Sequence, residues 1–360
     1  MSTEKREPKV LFVTRKYPPK KGGMEAYSYN LITNYSGPHK AITLGKSQKH
    51  LFWFLPYCCL YALFNARKYD VIELGDMLIS AVGWVARKVN PKIKVVATIH
   101  GLDITFPNPL YQWYLKHFSY GFDLYVPNST YTGDVAGKAG YDPRTMVPPA
   151  TLNGENTLFP PKDHARFCSR HGLSEDSIVL FTAGRLVRRK GAEWFVRNVM
   201  PLLQDPRLVY LIAGEGAMRP EIEKAIADAG ETRVQLLGRV SDEELKDLYN
   251  NADIFLMPNI LVPNDVEGYG MVAVEAAAAG TLVVAANIQG ILDAVTDGKN
   301  GVLYEAEKPE RLKEVLQTYL DDPGAYEEVR SGARNYVMGH CTGEAIAGTY
   351  KRLIEELVLS

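Results

Sequence analysis

Cysteine is scarce and unpatterned. The 360 residues hold four, Cys58, Cys59, Cys168 and Cys341, with no Cys-x-x-Cys spacing, which argues against a structural zinc site and against a secreted disulfide scaffold. A reducing, cytoplasmic setting is the expectation. No run reaches the ~20 apolar residues of a membrane span, and the charged stretch from Met1 to Lys9 has no apolar core behind it of the kind a signal peptide needs. Also missing are a Gly-x-Gly-x-x-Gly turn with its downstream acid, a Walker loop, a Ser-His-Asp set and any metal-ligand cluster. A nicotinamide dehydrogenase is thereby disfavoured, and neither a metal nor a cofactor is expected.

Charge is balanced overall, at a formal net of -1, yet unevenly spread. Residues 1–100 carry 16 Lys and Arg against 6 Asp and Glu, and the remainder carries 25 against 36. A basic half attracts polyanions: anionic lipid, nucleic acid or a phosphorylated acceptor. No nucleic-acid motif accompanies the charge, so nucleic acid is not an expected partner. A basic face without a special partner explains the imbalance equally well.

The chain is too long for one core, and short β-rich runs alternate with helical patterns, the signature of an α/β protein with parallel sheets. One series runs through Lys9–Thr14, Asp70–Glu73, Lys94–Ile99 and Phe122–Val126. A second runs through Ile178–Ala183, Leu208–Ala213, Val234–Leu237, Asp253–Met257 and Thr281–Ala285. Between them, Pro148 to Pro161 reads as a linker. The expectation is two Rossmann-like domains, 1–160 and 161–343, facing across a cleft, with an amphipathic last helix (344–360) packing back near the first.

Ligands of such sheets bind at the carboxyl ends of strands. After the first strand, Gly22 and Gly23, flanked by Lys20 and Lys21, open a helix whose N-terminus would favour a phosphate. A plain turn is the simpler reading of that feature alone. After Ile178–Ala183 comes Gly184-Arg185-Leu186-Val187-Arg188-Arg189-Lys190-Gly191. Four cations before a helix N-terminus oppose its dipole unless an anion lies between, and a diphosphate would supply one. Arg188 and Arg189 read as solvated; Arg185 and Lys190 read as phosphate contacts.

The segment Glu267-Gly268-Tyr269-Gly270-Met271-Val272-Ala273-Val274-Glu275 opens an Ala-rich helix that stops at Gly280. Glu275 is the only charge on it. Buried among apolar residues, its carboxylate needs hydrogen-bond donors, which ribose hydroxyls or protein groups would provide. Glu267 precedes it by roughly 12 Å if the segment is helical throughout, and Tyr269, Gly270, Met271 and Val272 offer backbone N–H groups between.

These motifs, with Ala213-Gly214-Glu215-Gly216 and Gly238-Arg239-Val240, resemble the retaining glycosyltransferase family 4 of the GT-B fold over nearly the whole chain. The resemblance implies transfer of a hexose-type sugar, without metal, from a UDP or GDP donor to an acceptor such as a lipid-linked or cell-surface glycan precursor. It implies that Arg185 and Lys190 hold the diphosphate and offset leaving-group charge, that Glu275 binds the ribose, and that Glu267 with the following backbone holds the sugar. The backbone near Arg239 and Val240 falls at the base, Glu215 among the substrate contacts, Gly22 and Gly23 at the phosphate, and His100 at the donor sugar and acceptor. Two positions depart from the family pattern: Gln289-Gly290 stands where Gly-Gly is usual, and Asp293 where Glu is common. An epimerase or phosphorylase of the same fold, or a sugar-nucleotide sensor, remains an alternative.

One further stretch stands out. Leu51–Phe64 has no charged residue, contains Pro56 as an interruption, and is flanked by Lys46, Lys49, Arg67 and Lys68. It suits either an anionic membrane surface, which would place the protein peripherally on the inner face, or a helix buried on the first sheet.

Overall fold

The computed structural model describes residues 6–19, 22–45, 48–143, 145–148, 152, 159, 162–263 and 265–360. Lys20, Lys21, Lys46 and most of the Pro148–Pro161 linker lie outside the described residues. The chain forms two compact units, residues 1–151 with 341–360, and residues 152–340. The boundaries expected at 160/161 and 343/344 lie close to these. Leu152 is fully buried and counts with the second unit, while Thr342 caps the last helix by accepting from the Ala345 N–H and so belongs with it.

The first unit contains β1 (Val10–Thr14), α1 (Gly23–Asn34), β2 (His39–Thr43), α2 (Leu51–Asn65), β3 (Val71–Leu74), α3 (Ser80–Val89), β4 (Lys94–Ile99), α4 (Leu102–Thr105), α5 (Pro109–Phe118), β5 (Leu124–Pro127) and α6 (Thr130–Lys138). Its sheet has the order β2-β1-β3-β4-β5, with every pair parallel. Alternate residues feed opposite faces. Leu11, Val13, Ile72, Leu74, Val95 and Ala97 pack under α2, α3 and α5; Val10, Phe12, Val71 and Val96 pack under α1 and the last helix. A strand covered on both sides must be apolar throughout, hence the unbroken hydrophobic runs.

The second unit contains α7 (His164–His171), β6 (Ile178–Ala183), α8 (Ala192–Asn198), β7 (Leu208–Ala213), α9 (Arg219–Ala229), β8 (Val234–Gly238), α10 (Asp242–Asn251), β9 (Ile254–Met257), α11 (Met271–Ala279), β10 (Leu282–Ala286), α12 (Ile291–Ala294), β11 (Val302–Tyr304), α13 (Pro309–Asp321) and α14 (Glu327–His340). Its parallel sheet runs β11-β10-β9-β6-β7-β8. The last helix, α15 (Gly343–Leu359), buries Ile346, Ala347, Tyr350 and Ile354 in the core of the first unit.

Each strand order reverses once. In the first unit the chain leaves β1 to one side and returns on the other at β3; in the second it leaves β6 and returns at β9. The loops after these four strands diverge, and that opening is where doubly wound sheets take their ligands.

Candidate functional site

In the second unit the reversal lies between the loop after β6, residues 184–191, and the loop after β9, residues 258–270. The two interlock. The Ile260 N–H donates to the Arg189 carbonyl at 3.0 Å. Gly191 has φ of 69°, and a Cβ there would lie 1.7 Å from the Pro258 carbonyl oxygen, so only glycine lets the loops approach. This close approach brings Lys190 Nζ to 2.9 Å from Glu267 Oε2, where Arg189 Nε lies at 3.4 Å and Asn259 Nδ2 donates at 3.0 Å. Arg189 also reaches Asp265 at 2.8 Å. Glu267 is buried, and burial alone would push its carboxyl up; Lys190, Arg189 and Asn259 hold it below the ordinary carboxylate range instead. Glu267 is therefore a buried anion against two cations.

The expectation for this loop needs one correction. Arg189 is not solvated, since its side chain is mostly buried and paired twice, whereas Arg188 and Arg185 are exposed. The structure also puts Lys190 and Glu267, separate in the sequence reading, in direct contact.

Gln289 and Gly290 show why the pair departs from Gly-Gly. Gln289 adopts the left-handed φ of 48° that glycine would take more readily, and its Oε1 accepts the Glu267 N–H at 2.7 Å. Gly290 stays glycine because a Cβ would lie 1.7 Å from the Gly268 carbonyl oxygen. Residues 267–270 precede the helix, with Gly270 its N-cap at φ of 79° and no side-chain cap, so the spacing of Glu267 and Glu275 is not that of a continuous helix. Tyr269 is buried, and Met271 and Val272 are half-buried in the first turn of α11.

Glu275 is half-buried on α11 amid Ala273, Val274, Ala276 and Ala277. It accepts a hydrogen bond from the Tyr249 hydroxyl at 2.9 Å. Burial pushes its carboxyl up to about 7, and the Tyr249 bond pulls the other way. One donor thus comes from the protein itself, as the alternative reading of Glu275 required. The loops after β7 and β8 join the same end of the sheet. The Leu186 N–H donates to the Glu215 carbonyl at 2.9 Å, and the Gly214 N–H to that of Gly238 at 2.7 Å. The Glu215 side chain is exposed and pairs with Arg219 at 2.6 Å; Arg239 is exposed and Val240 half-buried.

In the first unit the reversal lies between β1 and β3, and the residues following β1, β3 and β4 form a polar cluster. Arg15, just after β1, donates from Nε to Asp76 at 3.0 Å and from Nη1 to Gln48 at 2.7 Å. Asp76 is fully buried, and its Oδ1 also accepts the Leu78 N–H at 2.9 Å. His100 has both ring nitrogens engaged: Nε2 lies 3.1 Å from the Gly75 carbonyl, so it carries the proton, and Nδ1 accepts from Asn128 at 3.4 Å. Its ring meets Tyr27 edge-on at 5.3 Å. Burial lowers its pKa, which keeps the imidazole neutral. Asp103 accepts the His100 backbone N–H at 3.0 Å, and burial, with Asp76 nearby, pushes its carboxyl up to about 7.

Gly22 and Gly23 are exposed at the start of α1. Glu25 in that first turn lies 3.3 Å from Lys16, so a side-chain carboxylate already sits at this helix N-terminus. Among the described residues no three His, Cys, Asp or Glu side chains come together as a metal-ligand set.

Sequence reasoning passed over Asp265, Asn259 and Tyr249 in the second unit and Arg15, Asp76, Asp103 and Glu25 in the first; it read Arg189 as solvated and Gln289 only as a departure from the family pattern. Arg15 and Asp76 carried a readable signal: the strand-end rule that selected His100 selects them too.

Residues 4–150 match the family described as Glycosyltransferase Family 4, and residues 165–336 match Glycosyl transferases group 1. The chain is 34% identical over 212 residues to D-inositol 3-phosphate glycosyltransferase 1 of Catenulispora acidiphila, a match covering 55% of this chain and 50% of that protein. It is 28% identical over 310 residues to the D-inositol 3-phosphate glycosyltransferase of Rhodococcus jostii, covering 79% and 66%. The matched stretch spans about half the length of the first curated relatives. Among solved structures, HepE of Anabaena in complex with UDP superposes with a TM-score of 0.75 at 19% identity, covering 97% of this chain and 100% of HepE. Sucrose-phosphate synthase of Thermosynechococcus elongatus gives 0.74 at 20%, covering 98% and 100%. The likeness to these solved structures shows a GT-B fold, and by the two family matches, which together take in most of the chain, the protein belongs to glycosyltransferase family 4.

Proposed function

We propose that the protein is a retaining, metal-independent glycosyltransferase that moves a hexose-type sugar from a nucleotide diphosphate donor, UDP before GDP, to an acceptor hydroxyl. The observation that carries this reading is the contact of Lys190 and Arg189 with buried Glu267 where the second sheet reverses. Cations at that position offset the charge that builds on a departing diphosphate, with exposed Arg185 beside them, and Glu267 next to them accepts hydroxyls of the sugar on the same phosphate. Glu275 takes the ribose, the loops carrying Glu215, Arg239 and Val240 take the base, and the backbone from Tyr269 to Val272 meets the phosphates. On the acceptor side His100 orients the incoming hydroxyl as a neutral imidazole, and Gly22 and Gly23 give the donor phosphate room. The bond from the anomeric carbon to the phosphate oxygen breaks, the acceptor oxygen bonds to that carbon on the same face, and the departing phosphate oxygen takes the proton.

HepE, crystallised with UDP and with UDP-glucose, supports the donor class. A lipid-linked acceptor fits the exposed aromatic helices of the first unit. The test incubates the protein with a panel of nucleotide sugars, with and without polyprenyl-phosphate-linked acceptor, in the presence of EDTA. Acceptor-dependent release of nucleotide, with a product of the donor's anomeric configuration, is expected. Inverted product, or activity restored only by magnesium or manganese, would overturn the mechanism. Nucleotide release with a free epimerised sugar and no use of acceptor would favour the epimerase reading.

A further inference from the structure

Helices α2, α3 and α5 cover one face of the first unit's sheet through Phe54, Cys58, Ala62, Val82, Ala86 and Leu115. A helix lying on a sheet turns its opposite side outward, so the outer sides of these three form one surface. On α2 the exposed large residues are Phe52, Trp53, Tyr57, Leu60, Leu63 and Phe64. At about 100° per residue they fall within an arc of roughly 140°, centred opposite the buried Phe54, Cys58 and Ala62. Pro56 does not interrupt the helix; it lies on the exposed side, where the carbonyl it leaves unpaired meets water. Trp84 on α3 and Trp113 on α5 are exposed and meet Phe118 edge-on, at 5.5 and 6.4 Å, which joins the two helices' outer sides.

The exposure is large. Phe52 is 78% accessible, Phe64 76%, Leu110 74% and Trp113 53%. In the second unit, among the described residues, only Leu261 and Leu292 are large apolar side chains so exposed. No Asp or Glu occurs in α2, α3 or α5, while Lys49, Arg67, Lys68, Lys88 and Lys116 are exposed on or beside them.

We infer that this face docks on an anionic lipid bilayer. Aromatic and aliphatic side chains among cations match the headgroup boundary, where rings sit below the phosphates and ammonium groups pair with them. A second copy of the chain is a poor occupant, since a two-fold contact sets the same surface against itself and would bring cations against cations with no carboxylate to meet them. The docking does not rest on the transfer reaction, and its test needs neither donor nor acceptor.

The test floats the intact protein on phosphatidylcholine vesicles with and without phosphatidylglycerol, at low and high salt. It should float with the anionic vesicles at low salt. Each well-placed cation contributes roughly fivefold to partition, so Lys49→Gln with Lys68→Gln and Lys116→Gln should cut it about 100-fold. Phe52→Ser with Phe64→Ser and Leu110→Ser should abolish flotation while leaving transfer to a soluble acceptor unchanged. Failure to float at low salt, flotation indifferent to both variant sets, or a stable dimer that the apolar variants convert to monomer would overturn the inference. A protein that floats but transfers no sugar would sink the functional reading and leave the docking intact.

Discussion

Replacing Lys190 by Ala separates two things the residue does. Its ammonium lies 2.9 Å from Glu267 Oε2, inside a site where the lysine side chain is 13% exposed and the glutamate 9%. Removing one member of a buried pair commonly costs 3–5 kcal/mol. Arg189 and Asn259 remain on the same oxygen, so a loss of about 1–3 kcal/mol in folding stability is the expectation here. On the proposed mechanism, in which the same ammonium faces the leaving diphosphate, Lys190→Ala should also lower turnover by at least ~100-fold, near 2.7 kcal/mol of transition-state stabilisation. The double variant Lys190→Ala/Glu267→Gln, read against Glu267→Gln alone, decides between the roles. With the buried charge gone, stability should return to within ~1 kcal/mol of wild type while turnover stays low. Thermal melts measure the first quantity and nucleotide release at saturating donor the second. If turnover recovers with stability in the double variant, Lys190 serves only to neutralise Glu267, and the leaving-group role is refuted; near-wild-type turnover in Lys190→Ala refutes it as well.

Arg185→Ala should depress turnover with no change in melting temperature, because Arg185 is exposed, whereas Arg189→Ala should lower both through its bonds to Asp265 and Glu267. Gly191→Ala should destabilise by ~2–4 kcal/mol in thermal melts, since the new Cβ would meet the Pro258 carbonyl at 1.7 Å with φ positive. Glu73 makes stability depend on pH. Buried under α1 and α15, and accepting from Thr98 at 2.8 Å and Tyr350 at 3.3 Å, it is pushed up to about 8 by burial. The unfolded chain loses that proton near pH 4.5 and the folded one near 8, so its contribution falls by ~1.4 kcal/mol per pH unit across that window and levels off above it. Glu73→Gln should flatten the profile of melting temperature between about pH 5 and 8, and an unaltered profile would show that Glu73 is ionised when folded.

The parallel architecture was legible because strands covered on both faces are short apolar runs rich in β-branched residues, and here they recur in alternation with longer helical patterns. Ile178–Ala183, Leu208–Ala213 and Lys94–Ile99 were placed to the residue. The two strands not foreseen, β2 and β11, are edge strands. β2 reads His39-Lys40-Ala41-Ile42-Thr43 and buries only Ile42, and β11 has three residues. An edge strand pairs on one side and can stay polar or short, as these two do, and pattern alone then passes over it, whereas the other two edges, β5 and β8, are apolar enough to read.

The site divides along a similar physical line. Glycines and carboxylates that a loop cannot do without leave a mark in the sequence: Gly191 is irreplaceable at its crossing, and Glu275 stands out because everything else on its helix is apolar. Partners do not leave one, because any donor or cation at the right place in space suffices, however far away along the chain. Tyr249 reaches Glu275 from α10, Gln289 reaches the Glu267 backbone from the far side of β10, and Arg189 could pass for a solvated neighbour of Arg188 until the loop after β9 closed over it. Arg189 and Arg188 are adjacent and chemically identical, yet the loop after β9, through the Ile260 bond to the Arg189 carbonyl and through Asp265 and Glu267 at its side chain, holds one inward while the other stays exposed. The assignment of cations within such a loop is therefore a property of the crossing of two loops, and a substitution that loosens the crossing at Gly191 should disable Lys190 and Arg189 together while both remain in the chain.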